Sequence, residues 1–175
     1  MQYSGIKDFL SKGRDALAKG PVAMIFVEDE VEIDSTIRHH IEIGFKPVLV
    51  FMPAAFSLAK DTTDKVHRID YEMTRPGALE DAVNAVIDAA PGLWMYYCYN
   101  AEYLFYPFCE SRDVGEMLAF HTEERRDAML AYVVDLYAGD LNQHGNAVSL
   151  EDSFIDRSGY YALARPDAAN HNHPK

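Results

Sequence analysis

The chain alternates compact apolar runs with amphipathic stretches. Residues 21–27 (PVAMIFV) and 46–52 (KPVLVFM) are short and almost continuously apolar. Runs of that length, bounded by Gly, Pro or acidic residues, predict buried strands. Between them, Ile37, Ile41 and Gly44 fall on similar sides behind an Asp34-Ser35 start. That pattern predicts a capped helix over residues 34–43, ended by Gly44. Strand, helix and strand with short connections make a βαβ unit, which implies parallel pairing and a right-handed crossover. Ahead of this unit, Ile6, Phe9, Leu10 and Leu17 recur at helical spacing, so residues 4–19 predict a helix stopped by Gly20-Pro21. Residues 76–90 (PGALEDAVNAVIDAA) predict another, with Leu79, Val83, Val86 and Ile87 on its apolar face. Residues 66–71 (VHRIDY) suggest a shorter third strand with Asp70 near its end.

The chain is organised around residues 93–108 (LWMYYCYNAEYLFYPF). Residues 93–98 leave no clean polar face, which predicts a central strand covered on both sides. Asn100 and Glu102 stand where that strand emerges, the place where open α/β sheets bind ligands. The same residues also fit a core strand running into an ordinary polar loop. After Pro107 the pattern predicts a short helix over 114–120, a charged surface segment over 123–126 and a strand over 128–137 (AMLAYVVDLY). A loop to residue 155 and a last short strand over 159–163 follow. This strand-rich second half predicts a mixed sheet. The expected fold is α/β: a mixed β-sheet flanked by helices in a three-layer sandwich, one domain over residues 1–164. The polar tail 165–175 (RPDAANHNHPK) is expected to fray.

Charge and cysteines narrow the function classes. The 175 residues carry a formal charge of -12, which argues against nucleic acid as a partner, since phosphate backbones need a basic stripe. A small phosphorylated ligand stays open, because a divalent metal can bridge carboxylates to phosphates. Cys98 and Cys109 form no CxxC, residues 1–20 have no apolar leader core, and no apolar run nears the roughly 20 residues that span a bilayer. The expectation is a cytoplasmic protein with reduced thiols and no membrane span. His39, His40, His67 and His121 make no zinc spacing, and His40 reads as a hydrogen-bonded packing residue. No GxGxxG, P-loop or GxSxG is present, so dinucleotide oxidoreductases, kinase-type NTPases and hydrolases lack their loops.

Three segments carry a resemblance. VEDEVEIDSTIRHHIEIGFKPVLVF joins an apolar strand, an acidic turn and a helix ending in His40, Gly44 and Phe45, with the next strand directly after. CYNAEYLFYPFCESRDVGEMLAF follows an apolar strand with Asn100-Ala101-Glu102 and then Tyr103-Leu104, and AMLAYVVDLYAGDL comes later. In this order they resemble the family 2-like glycosyltransferases, a bacterial GT-A group related to family 92. The resemblance implies a GT-A-like, Rossmann-like fold, a nucleotide sugar as ligand, and transfer of the sugar to an acceptor it does not identify. It implies Mn²⁺ or Mg²⁺ held by Asn100 and Glu102, with Glu28 and Asp29 on the ribose or base. Asp70 would join that pocket if residues 66–71 form the third strand. Two departures stand out: Val27-Glu28-Asp29 replaces the family's Arg-Asn-Glu, and Asn100-Ala101-Glu102 replaces its Asp-x-Asp. Typical members also run further past the residue-128 strand, in a part that helps to build the acceptor site. A degenerate, non-catalytic binding or assembly module is therefore the alternative expectation. Independently of the resemblance, the acids from Glu28 to Asp34 also fit a solvated helix N-terminus, and a truncated sheet edge leaves self-association open.

Overall fold

The structure, a computed structural model, describes residues 1–155. Contacts divide the chain into two compact units, Met1–Asp127 and Ala128–Lys175. The expected strand over 159–163 and the tail 165–175 lie outside the described residues. Among the described residues, no helix is long and apolar enough to cross a membrane.

The first unit is built on a five-stranded parallel sheet: β1 (Gln2–Tyr3), β2 (Val22–Phe26), β3 (Val48–Met52), β4 (His67–Asp70) and β5 (Met95–Tyr99), in the order β1-β4-β3-β2-β5. The helices are α1 (Ile6–Lys12), α2 (Ile33–Glu42), α3 (Lys60–Thr63), α4 (Ala78–Ala89) and α5 (Val114–Glu123). All five residues of β2 and all five of β3 are buried. That explains their continuous apolar runs, since side chains alternate between two covered faces. Ala23, Ile25, Val48, Val50 and Met52 pack with Ile33 and Ile37 of α2 and with Val114 and Leu118 of α5. Val22, Met24, Phe26, Leu49 and Phe51 pack with Phe9 of α1 and with Ala82 and Val86 of α4. The unit is a three-layer α/β sandwich, as the periodicity predicts.

Several expectations are corrected. Among the described residues, the five-stranded sheet is wholly parallel, not mixed. The mixed reading rested on the strands predicted over 128–137 and 159–163; the second lies outside the described residues, and of the first only Tyr137 belongs to a strand, β6 (Tyr137–Ala138), paired antiparallel with β7 (Ser153–Phe154). Leu130, Tyr132, Val133 and Leu136 are 60–77% exposed. High β-propensity describes a fit to a paired, half-buried surface, and a segment without that surface does not become a strand. β5 is an edge strand rather than the centre of the sheet. Cys98 alone of its five residues is buried, and Tyr97 is 52% exposed. Tyrosine supplies apolar area while keeping a wet hydroxyl, so an aromatic run also suits an edge.

The predicted helix over 4–19 is broken into α1 and a 3-10 turn, Arg14–Lys19, on either side of Gly13. A Cβ at Gly13 would stand 2.5 Å from Tyr3 Oη and 2.8 Å from Phe9 Cδ2. Tyr3 cannot give way freely, because its ring stacks on His67 at 5.8 Å and its hydroxyl lies 3.0 Å from His67 Nδ1. Gly13→Ala is expected to cost about 1–3 kcal/mol by overpacking, read as a lowered urea midpoint at unchanged slope.

Candidate functional site

The strand order reverses at β2. From β2 the chain steps through β3 to β4 on one side, and β5 then pairs with β2 on the other. Such a reversal parts the crossovers and opens a crevice at the carboxyl ends of the two strands. Here those ends are Val27-Glu28-Asp29 after β2 and Asn100-Ala101-Glu102 after β5.

Asn100 joins the two ends. Its backbone N–H extends the ladder to Phe26 O at 3.1 Å. Its side-chain Oδ1 accepts the Glu28 N–H at 2.9 Å. Its Nδ2 donates to Asp29 Oδ1 at 2.7 Å and to Val31 O at 2.9 Å. The reverse amide orientation would set nitrogen against an N–H and oxygen against two oxygens, so the partners fix which atom is which. Asp29 Oδ1 also accepts the Val31 N–H at 2.9 Å, folding the β2 exit into an Asx turn.

Ala101 takes a left-handed backbone, φ 61°, and its N–H is accepted by Thr36 Oγ1 at 2.9 Å. Thr36 is fully buried and donates to Glu32 O at 2.6 Å, tying the β5 exit to the first turn of α2. Sequence reasoning passed over Thr36, because nothing local marks a threonine that serves a loop 65 residues away. Glu102 turns back onto its own strand. Because the Asn100 N–H points to β2, the Tyr99 N–H points to the open edge, and Glu102 Oε2 accepts it at 2.8 Å. Burial first, and then the Glu28 and Glu102 carboxylates, hold the Tyr99 phenol above its ordinary pKa.

Asp70 ends β4, in register with Met52. Its carboxylate accepts from Gln2 Nε2 at 3.1 and 3.2 Å and from Arg68 Nε at 3.3 Å. Strands lie about 4.8 Å apart, so β4 is roughly 10 Å from β2 and roughly 14 Å from β5. The structure thus brings together Glu28, Asp29 and Asn100, sets Glu102 one turn away on the edge, and leaves Asp70 across the sheet.

Beside this cluster, Glu30, Glu32, Ile33, Asp34, Ser35, Arg38 and Ser57 line a polar depression of about 270 Å³. The predicted capping role of Asp34 is replaced here. Glu32, at φ 52°, precedes α2, and Asp34 Oδ1 accepts from Ala59 N at 3.0 Å and from the Thr62 hydroxyl. Arg38 is paired with Asp61 at 2.9 Å. Three carboxylates around the hollow oppose phosphate binding there, whatever the α2 dipole contributes.

The residues fit a divalent cation poorly. An amide can ligate only through oxygen, and Asn100 Oδ1 is engaged by the Glu28 N–H while Nδ2 faces the Asp29 carboxylate. Among the described residues, no group of three or more His, Cys, Asp or Glu side chains is placed to hold a metal. Glu102 Oε1, Asp29 Oδ2 and the Glu28 carboxylate are what a cation could meet. No protein-family model, curated protein or solved structure matches the chain.

Proposed function

We propose that the unit Met1–Asp127 is a glycosyltransferase-like, GT-A-type module that binds a nucleoside diphosphate sugar at the crevice between β2 and β5. One observation carries this reading: Asn100 bridges the two strand ends at the point where strand order reverses, and fixes Asp29 there. In doubly wound sheets, a carboxylate in the binding crevice accepts hydrogen bonds from ribose hydroxyls. Asp29 keeps Oδ2 for that purpose, and Glu28 lies exposed beside it. The resemblance of residues 27–51 and 98–120 to family 2-like glycosyltransferases supplies the class of ligand. Sugar transfer would also need a stabilised leaving diphosphate and a base on the acceptor. Mn²⁺ or Mg²⁺, if bound, would supply the first, and Glu102 is the residue best placed to meet it.

A second reading, a non-catalytic relative that binds without transferring, is favoured by the engagement of Asn100 and Glu102 in internal hydrogen bonds. Thermal unfolding with UDP- and GDP-sugars separates the readings from no binding at all. A ligand at a hundred times its Kd adds about 2.7 kcal/mol, a shift of several degrees in Tm for a domain of this size. Asp29→Ala is expected to weaken binding at least tenfold while leaving the unliganded Tm within a few degrees. Sugar released or transferred from the bound donor identifies an enzyme, and a shift without turnover identifies the binding module. No shift with either donor refutes both.

A further inference from the structure

We propose that the crevice recognises its ligand through the nucleoside hydroxyls without a divalent cation, and that Asn100 is the positioning residue that makes this so. The inference rests on the nucleotide-binding reading above and narrows it to one part of the ligand. Every polar atom of the Asn100 side chain has a partner on the β2 exit: Oδ1 with the Glu28 N–H at 2.9 Å, Nδ2 with Asp29 Oδ1 at 2.7 Å and Val31 O at 2.9 Å. A cation between Asn100 and Asp29 would have to displace an N–H donor that already satisfies that carboxylate. The Ala101 N–H is held by Thr36 and Glu102 Oε2 by the Tyr99 N–H, so the motif as a whole works as a clamp on the loops.

The charge balance points the same way. Among the described residues, no Lys or Arg pairs with Glu28, Asp29, Asn100 or Glu102. A diphosphate brought to this edge meets carboxylates that no lysine or arginine salt bridge neutralises among the described residues. A ribose diol brings donors that those same oxygens accept. The amide therefore orients Asp29 Oδ1 inward and leaves Oδ2 toward the hydroxyls, a task that an aspartate at position 100 would reverse. In Asn100→Asp an oxygen would face Asp29 Oδ1 in place of an N–H, and two adjacent carboxylates would create the demand for a cation that the amide removes.

Calorimetric titration with uridine, UDP, guanosine and GDP, each in EDTA and in Mn²⁺, tests this on the full chain. For the base that binds, nucleoside and nucleoside diphosphate are expected within about threefold of one another, with less than a twofold change on adding Mn²⁺. Manganese alone, followed by electron paramagnetic resonance, is expected to stay free at micromolar concentration with the wild-type chain. Asn100→Asp is expected to lose nucleoside affinity at least tenfold in EDTA and to take up Mn²⁺. That gain is a signature that a merely structural asparagine would not give. A diphosphate binding at least tenfold tighter with Mn²⁺, or Mn²⁺ bound by the wild type, overturns the inference and leaves the nucleotide site standing. No binding by any of the four ligands overturns both, and the wild-type manganese spectrum is readable whether or not the variant folds.

Discussion

Replacing Phe51 with alanine is expected to lower the unfolding free energy by about 3–5 kcal/mol. Phe51 is fully buried in β3, its ring stacked on Phe26 of β2 at 4.8 Å and edge-on to Tyr71 at 5.5 Å. Its own strand and the neighbouring β2 are buried along all five of their residues, so the space it leaves is walled on that side by ladder-bound backbone that cannot collapse. The loss is both the transfer energy of the ring and the cavity left behind. Against a total stability of roughly 5–15 kcal/mol, this alone brings the domain near its threshold. Phe120→Ala is the control: the ring is 56% exposed on α5, and its removal is expected to change stability by less than about 0.5 kcal/mol. Urea unfolding of the two variants with equal slopes checks both.

Acid is expected to destabilise the protein through His40. The side chain is fully buried, and desolvation lowers its pKa to about 4 from an ordinary 6.5. Nδ1 lies 2.8 Å from Thr36 O, so it carries the proton and donates. Nε2 faces Cys98 Sγ at 3.8 Å and accepts from the thiol, whose own pKa burial pushes up. The groups around the ring are His39 at 5.2 Å, Phe45 at 5.9 Å and Tyr96 at 5.4 Å, and none is an anion. Neutral imidazole is therefore satisfied, and a second proton would have no acceptor stronger than sulfur. The unfolded chain takes that proton below about pH 6.5, and the folded chain only near 4. The contribution is complete above pH 6.5 and is lost as pH falls toward 4, about 3 kcal/mol in all. His67, half-buried and also held low by desolvation, titrates in the same direction. The His40 share is therefore the difference between wild type and His40→Gln measured from pH 7 to 4.5. A wild-type curve that parallels the variant over that range refutes the assignment.

What the sequence made legible follows from how much of each element's environment is local. β2 and β3 were readable because both faces are covered, and a five-residue strand buried on both faces has no choice but to be apolar throughout. α4 was readable from spacing alone, and the strand expected over 66–71 proved to be β4. β1 was not readable: two residues, Gln2 and Tyr3, carry no pattern, and they pair with β4 because the chain brings them there. The place of β5 at the edge and the distance from Asp70 to the crevice are matters of strand order, which no local run records. Asn100 was legible as a polar residue at a strand end. Its partners were not, because Glu28, Asp29 and Val31 become its neighbours only once β5 pairs with β2. Asn100, which the resemblance offers as a metal ligand, spends its side-chain amide on the loop after β2 in this structure.

The most direct measurement of the central claim is a two-dimensional ¹H–¹⁵N spectrum of the full chain titrated with the nucleoside and nucleoside diphosphate of uracil and guanine. Saturable shifts are expected, concentrated in the amides of Glu28, Asp29, Val31, Asn100 and Ala101, with the Arg68 and Asp70 amides unmoved. Amides of the crevice that stay fixed at saturating ligand, or shifts confined to another part of the fold, would contradict it.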